Sequence, residues 1–223
     1  MMRQRSLFDV VGPVMIGPSS SHTAGAVRLG ALARAVFGGQ PSRVVIGLHG
    51  SFASTGRGHG TDLALVAGLL GMTPDDPRIR DAMRLAEENA LDITFDDVDL
   101  GEVHPNTASF QMRDKSGRTM RVVGSSLGGG DVVVSSIDDF EVEITGELPT
   151  LLVEHQDRPG EIAAVSRILA EGACNIAAMR VSREARGARA LMVIETDAPV
   201  PGDVLARIDA VAAVSAVRRV DAV

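Results

Sequence analysis

The stretch Gly17-Pro18-Ser19-Ser20-Ser21-His22-Thr23-Ala24-Gly25 lies where a predicted loop turns into a predicted helix. Apolar side chains follow at positions 29, 32, 33 and 36, the spacing of one helical face, and glycines at 38 and 39 end the pattern. A serine at 19, 20 or 21 can cap this helix. Three serines, a histidine and a threonine in one turn are more than a cap requires. Because a helix N-terminus offers unpaired N–H groups and a partial positive charge, the stretch predicts a site for a carboxylate or phosphate.

The composition of the whole chain is that of an ordinary folded protein. Its 223 residues are 45% hydrophobic and 23% charged, enough for a real core and two domains. A net charge of −7 and the lack of a basic run argue against a nucleic-acid partner. No segment has the apolar length of a membrane span or the core of a signal peptide, so we expect no membrane partner and a cytoplasmic location. The single cysteine, Cys174, excludes a disulfide within the chain.

The chain also has one lysine, Lys115, in a segment at 113–118 that is typical of a hairpin turn. A pyridoxal-phosphate enzyme needs a lysine in a pocket to form its Schiff base. An exposed turn is a poor place for that lysine, so we expect no pyridoxal phosphate. The sequence has no tyrosine or tryptophan, so a phenolic acid or base would have to come from another chain.

Residues 1–146 predict a mixed α/β domain. A β-branched run at 42–50 predicts a strand, which leads into a glycine-punctuated segment at 51–62 that we interpret as a loop. The remaining predicted elements of this domain are a short buried helix at 63–70, a charged helix at 75–90, and strands at 92–95, around 104–107, and at 108–113, 119–124 and 131–136.

Residues 148–223 predict a second, regularly alternating unit. Strands at 150–155, 175–182, 188–196 and 214–220 alternate with helices at 161–173 and 202–211. The order βαββαβ is that of a ferredoxin-like α+β fold, an antiparallel sheet with two helices on one face.

Four histidines, His22, His49, His59 and His104, lie in predicted loops beside small or polar residues. A lone histidine is more often structural, but several in the loops of one domain favour a shared site. Asp62, three residues after His59, could orient that ring, or it could simply cap the helix that starts at 63. Histidines can bind zinc, but no pair of them has helical or finger-like spacing, so we expect no metal site in this chain.

Three motifs carry a resemblance to a known family: Gly-Pro-Ser-Ser-Ser-His-Thr-Ala-Gly (17–25), Gly-Ser-Phe-Ala-x-Thr-x-x-Gly-His-Gly-Thr-Asp (50–62) and His-Pro-Asn-Thr (104–107). They resemble the β subunit of the iron–sulfur-dependent bacterial L-serine dehydratase. The Asp-x-Pro-Gly turn at 157–160, within a βαββαβ unit, resembles an ACT regulatory domain, which that subunit carries at its C-terminus. The resemblance covers nearly the whole chain.

The resemblance implies conversion of L-serine to pyruvate and ammonia, with a 4Fe–4S cluster as Lewis acid on the substrate hydroxyl. Such clusters are held by cysteine thiolates, and this chain offers only Cys174. The cluster is therefore expected in a separate α subunit, with which this chain would pair.

The same resemblance suggests roles for the residues of the motifs. His22, His59 and His104 would line the interface with the α subunit and position substrate or move protons. The substrate would be bound by the small polar residues around them: Ser19, Ser20, Ser21, Thr23, Thr61, Asp62 and Asn106. An alternative remains open, in which the domain is a non-catalytic amino-acid-sensing module, as a similar domain is in some phosphoglycerate dehydrogenases.

For the ACT-like unit, the resemblance implies a small amino acid bound where two copies pair edge to edge. Pairing would cover the edge strands of a small sheet, so we expect a homodimer. A glycine at a helix N-terminus allows a ligand carboxylate to approach the backbone. A structural pair that binds nothing is the alternative. The residues expected at the effector site are Asp157, Pro159, Gly160, Asn175 and Ile176.

Overall fold

The structure is a computed structural model that describes residues 14–17 and 19–223, apart from the side chain of Arg57. It is a mixed α/β fold with two sheets, which confirms the predicted fold class. The chain divides into two compact units, one ending at Ser135 and the other beginning at Ser136. The domain border expected at residues 146–148 remains a prediction.

Two of the sequence motifs, at 17–25 and 50–62, lie largely within helical segments of the first unit. A π-helical turn, Ser20–Ala24, continues directly into helix α1 (Gly25–Phe37). Helices α2 (Ser51–His59) and α3 (Thr61–Leu69) follow, and the predicted charged helix at 75–90 is a 3₁₀ turn, Pro77–Asp81, joined to α4 (Ala82–Glu88).

Our prediction of a loop at 51–62 was wrong, because α2 occupies most of that segment. The glycines that break the chain stand at its two ends, where Gly50 (φ 57°) and Gly60 (φ 68°) adopt positive φ angles that other residues avoid. The internal Gly56 packs closely instead, since a Cβ on it would lie 3.3 Å from the Cβ of Thr61. Tight packing therefore outweighs the low helix propensity of glycine here.

The first sheet has the strand order β2-β1-β3-β4-β5-β6, with β1 and β2 parallel and β1–β3 and β3–β4 antiparallel. The segment around 104–107 forms no separate strand, because it merges into the start of β3. The turn at 114–118 joins β3 to β4 as predicted. Strand β6 was not predicted. The strands are β1 (Arg43–Gly50), β2 (Asp92–Asp97), β3 (Asn106–Arg113), β4 (Thr119–Gly128), β5 (Asp131–Ile137) and β6 (Phe140–Ile144).

Helices α1 and α3 cross at two glycines that allow their backbones to touch. A Cβ on Gly30 would lie 2.2 Å from the carbonyl oxygen of Leu65, and one on Gly68 would lie 2.0 Å from that of Val27. The π-helical turn that precedes α1 packs against these elements and contacts α2, α3 and β4. The crossing therefore positions the serine-rich turn beside the start of α2.

From Thr150 onward, the second unit has the predicted βαββαβ order, arranged as an antiparallel sheet in the order β10-β7-β9-β8. One buried cluster joins the sheet to both helices through Leu151 and Val153 of the first strand and through Val165 and Val204 of the helices. The elements are β7 (Thr150–Gln156), α5 (Glu161–Glu171), β8 (Ile176–Arg183), β9 (Arg189–Thr196), α6 (Gly202–Asp209) and β10 (Val214–Val220).

Candidate functional site

The serine-rich turn is capped by its own first serine. The Ser19 hydroxyl oxygen accepts a hydrogen bond from the backbone N–H of His22 at 3.2 Å, and the Ser19 carbonyl accepts one from the N–H of Thr23 at 2.9 Å. Ser19 is thus the N-cap that the sequence allowed among three serines. The cap holds the backbone of His22 and thereby aims its ring.

The ring of His22 is bonded at both nitrogens. Its Nδ1 lies 3.3 Å from Ser19 Oγ, while its Nε2 lies 3.2 Å from Thr55 Oγ1 and 3.3 Å from Ser51 Oγ. The ring also packs edge-on against the buried Phe52, with centroids 5.4 Å apart. Ser51, Phe52 and Thr55 belong to the motif at 50–62 but were given no role from the sequence, because the segment was predicted to be a loop and not a helix.

His59 lies beside His22, with ring centroids 4.9 Å apart. Its Nδ1 is 3.0 Å from the carbonyl oxygen of Thr55. A carbonyl only accepts hydrogen bonds, so Nδ1 carries the proton of the neutral ring and the lone pair lies on Nε2. The structure therefore brings two of the predicted histidines together and presents a basic nitrogen on one of them.

The environment lowers the pKa of His22 below its ordinary value, mainly through burial and further through the nearby His59; a backbone hydrogen bond with Ser51 opposes the shift. His22 is consequently neutral at neutral pH. A neutral ring can hold a fixed tautomer beside His59 without adding a competing charge.

Among the described residues, no hydrogen bond joins Asp62 to His59, and the Nδ1 of that ring faces the Thr55 carbonyl instead. Asp62 Oδ1 accepts a hydrogen bond from the N–H of Leu63 at 2.9 Å, in the first turn of α3. The side chain also lines a cavity of about 400 Å³ together with Phe95, Asp96 and Asp97. Carboxylates on this wall favour a cationic group of a ligand over an anionic one.

His104 is exposed, and its Nδ1 accepts a hydrogen bond from the N–H of Asn106 at 3.1 Å, within its own loop. The neighbouring Pro105 carbonyl accepts the N–H of Ser51 at 2.7 Å, at the first residue of α2. This loop therefore caps α2, while the half-buried Asn106 opens β3. The described contacts give His104 no bond to the other two histidines.

The remaining predicted substrate contacts differ in how accessible they are. Ser20 and Ser21 are half-buried in the π-helical turn. Thr23 and Thr61 are buried, and neither hydroxyl has a hydrogen-bond partner among the described residues. The Thr23 hydroxyl faces the backbone of Gly17, where a Cβ would lie 2.3 Å from Oγ1.

In the second unit, the carboxylate of Asp157 is engaged within the fold. Its Oδ2 accepts the N–H of Gly187 at 2.9 Å and bonds Arg183 Nη1 at 3.0 Å. These contacts, led by the Gly187 hydrogen bond, hold the pKa of the Asp157 carboxyl below its usual value. Asp157 thus ties the turn after β7 to the hairpin between β8 and β9.

The neighbouring turn is open at Gly160, which has φ 98°, and a Cβ on it would meet no atom of the described residues within 4 Å. Of the other predicted effector contacts, Pro159 is exposed and Ile176 packs against the core. Asn175 donates a hydrogen bond from Nδ2 to Asp197 Oδ2 at 2.7 Å.

His155 is a polar residue of this unit that sequence reasoning missed. It is 4% exposed; its Nδ1 donates to the Gln156 carbonyl at 2.9 Å, and its buried Nε2 has no partner within the described part of the chain. Strand alternation places it on the same face as Leu151 and Val153, towards the helices. That alternation was the signal that could have identified it.

The residues of this chain do not fit an iron–sulfur cluster. Cys174 is the single cysteine, and its half-buried Sγ lies 3.5 Å from the Gly172 carbonyl oxygen. Within residues 14–17 and 19–223, no three His, Cys, Asp or Glu side chains are grouped to hold a metal ion. In the same ranges, no helix has the length and apolar character needed to span a membrane.

Comparison with known proteins agrees with the motifs. The family model described as serine dehydratase beta chain matches residues 6–91, and the ACT domain model matches residues 149–213. The chain is 45% identical to the probable L-serine dehydratase, beta chain, of Bacillus subtilis, covering 92% of each chain. It is 38% identical to the L-serine dehydratase, beta chain, of Peptoniphilus asaccharolyticus, covering 89% of this chain and 90% of that one.

A relative of a different name also aligns. The D-3-phosphoglycerate dehydrogenase of Synechocystis is 26% identical over 83% of this chain and 34% of its own length. The two β-chain relatives are more similar, at 45% and 38% identity, and they align with 92% and 89% of this chain. The chain belongs to the family of L-serine dehydratase β chains and carries an ACT domain.

Proposed function

We propose that this chain works with a separate α chain, which binds a 4Fe–4S cluster, and that the pair converts L-serine to pyruvate and ammonia. Two relatives named as β chains align with 92% and 89% of this chain, and a β chain implies an α partner. The single cysteine supports placing the cluster on the partner. When bound there, the cluster would supply the Lewis acid for the serine hydroxyl.

The observation that carries a catalytic role for this chain is the pair formed by His22 and His59. Elimination of water from serine needs a base for the Cα proton. The Nδ1 proton of His59 is directed to the Thr55 carbonyl. The Nε2 atom of His59 is therefore the one that would accept the Cα proton of serine. The serine-rich turn at 19–23 lies on the other side of His22 and is suited to hold the substrate carboxylate.

Because the proposal places the cluster on the α chain, we expect that this chain purified alone contains no stoichiometric iron and forms no pyruvate from serine. Co-expression with a cysteine-rich α chain should yield a coloured complex that does form pyruvate. Iron content and a coupled pyruvate assay check both. Activity of the lone chain, or a cluster bound to it, would contradict the proposal.

The second candidate is a sensing role without catalysis. It is favoured by the alignment of 83% of this chain with an enzyme named as a dehydrogenase, whose reaction is not the dehydration of serine. A shared region of that extent would serve binding or regulation in both proteins. Substitution of His59, described in the Discussion, separates the two candidates.

We further propose that the ACT domain pairs with a second copy and binds a small amino acid, with L-serine as the first candidate. Among the described strands, β8 lies at the edge of its four-stranded sheet and pairs with β9, and a second copy would pair along that edge. The open space at Gly160, the N-terminus of α5 and the unpaired Nε2 of His155 support a ligand at this turn.

Binding at this turn predicts that Gly160→Val weakens L-serine binding to the full chain by at least about tenfold, because the side chain fills the space that the ligand would use. Gly117→Val is the matched control, since Gly117 has a similar φ of 92° but lies in the turn between β3 and β4. Titration calorimetry of both variants and of the parent chain measures the effect. Equal loss in both variants, or no heat from the parent with any small amino acid, would favour a purely structural ACT pair.

A further inference from the structure

Thr55 contacts both histidines of the site, each through a different oxygen. Its hydroxyl oxygen lies 3.2 Å from Nε2 of His22, and its carbonyl oxygen lies 3.0 Å from Nδ1 of His59. The same hydroxyl is 2.8 Å from the carbonyl oxygen of Ser51 and 3.3 Å from Ser51 Oγ. No other described residue joins the two rings in this way.

The protons in this cluster can be assigned from donor and acceptor chemistry. The Thr55 hydroxyl has one proton, and the Ser51 carbonyl oxygen can only accept a hydrogen bond. The Thr55 hydroxyl therefore donates its proton to the Ser51 carbonyl oxygen. Thr55 Oγ1 is then an acceptor towards His22, and the bond exists only if His22 carries its proton on Nε2. Nδ1 of His22 then accepts from the Ser19 hydroxyl at 3.3 Å.

The two rings therefore have opposite tautomers. His22 is protonated at Nε2, with both nitrogens bonded inside the protein, whereas His59 is protonated at Nδ1 and keeps its lone pair on Nε2. We infer that Thr55 is a positioning residue that selects both tautomers, the first through its hydroxyl and the second through its carbonyl. This inference rests on the proposed function, because it makes His59 the base and His22 its fixed neutral neighbour.

A threonine within a helix also bonds the carbonyl four residues back for purely local reasons. The two roles differ in what happens when the hydroxyl is removed. In Thr55→Val, Ser51 Oγ loses its own acceptor and can turn its proton towards Nε2 of His22, so the tautomer is no longer selected. A local role would leave the ring of His22 unchanged.

The test uses the full chain with ¹⁵N-labelled histidine, in which ring-nitrogen shifts report the tautomer. We expect His22 to be protonated at Nε2 in the parent chain, to become a mixture of tautomers in Thr55→Val, and to return to the parent state in Thr55→Ser. Ser54→Val, at an exposed neighbour on the same helix, is the control for adding a β-branched residue and should leave the tautomer unchanged. A parental His22 signal in Thr55→Val overturns the inference.

The second arm measures activity in the complex with the α chain. Thr55→Val should lower kcat about tenfold, the effect of one lost hydrogen bond to the site, and Thr55→Ser should restore most of it. A changed tautomer with unchanged kcat supports the positioning role of Thr55 and counts against the proposed catalytic function of the histidine pair. An unchanged tautomer with full activity counts against Thr55 alone.

Discussion

His59→Gln in the assembled enzyme is expected to lower kcat for L-serine by at least about 100-fold, the contribution of a positioned general base. Glutamine is close in size and can still donate to the Thr55 carbonyl, but it offers no basic nitrogen to accept the Cα proton. The loss should therefore appear in kcat, with little change in the KM for serine. Steady-state assays with the co-purified α chain measure it.

His104→Gln is the matched comparison for His59→Gln. His104 is also an exposed histidine of the first unit, but its ring bonds within its own loop, so we expect a much smaller loss. Near-parental rates for His59→Gln, in a complex that still contains both chains, would assign the first unit to the sensing class. Equal losses in both variants would show that the effect is not specific to the histidine pair.

Gly68→Ala is expected to destabilise the chain by about 3 kcal/mol, the upper range for overpacking. The added Cβ would lie 2.0 Å from the carbonyl oxygen of Val27 and 2.7 Å from the backbone nitrogen of Ala31. Both obstacles are backbone atoms of α1, so no side-chain rotation can relieve the clash. Helices α1 and α3 would have to separate, and the serine-rich turn at the start of α1 would shift with them.

Gly58→Ala provides the matched control for this prediction. Gly58 also lies in a helix, but a Cβ on it would meet no described atom within 4 Å. Alanine should therefore stabilise the chain by roughly 0.5–1 kcal/mol through the lower entropy cost of ordering α2. Urea unfolding followed by circular dichroism compares the two. A midpoint for Gly68→Ala at or above that of Gly58→Ala would show that the crossing is less tight than the structure indicates.

The amino-acid sequence by itself determined the fold of the ACT domain. Its strands are short runs rich in apolar residues that end at turn-forming residues, and its helices repeat apolar residues on one face, so the local sequence was enough to predict βαββαβ. The turn around Lys115 was also predicted from the local sequence. Its polar residues bond one another, since Asp114 accepts hydrogen bonds from the N–H groups of Ser116 and Arg118. These interactions act over a few residues and are therefore visible in the local sequence.

Only the tertiary structure decided that residues 51–59 form a helix and that this helix carries the partners of His22. The bonds from His22 to Ser51 and Thr55 join residues 29 and 33 positions apart, and the cap on α2 comes from Pro105. Glycine-rich local sequence disfavours a helix there, but packing and distant hydrogen bonds outweigh that preference. The motifs identified the histidines as candidate site residues. Which ring nitrogen of each histidine carries the proton depends on oxygen atoms that lie near it only in the folded chain.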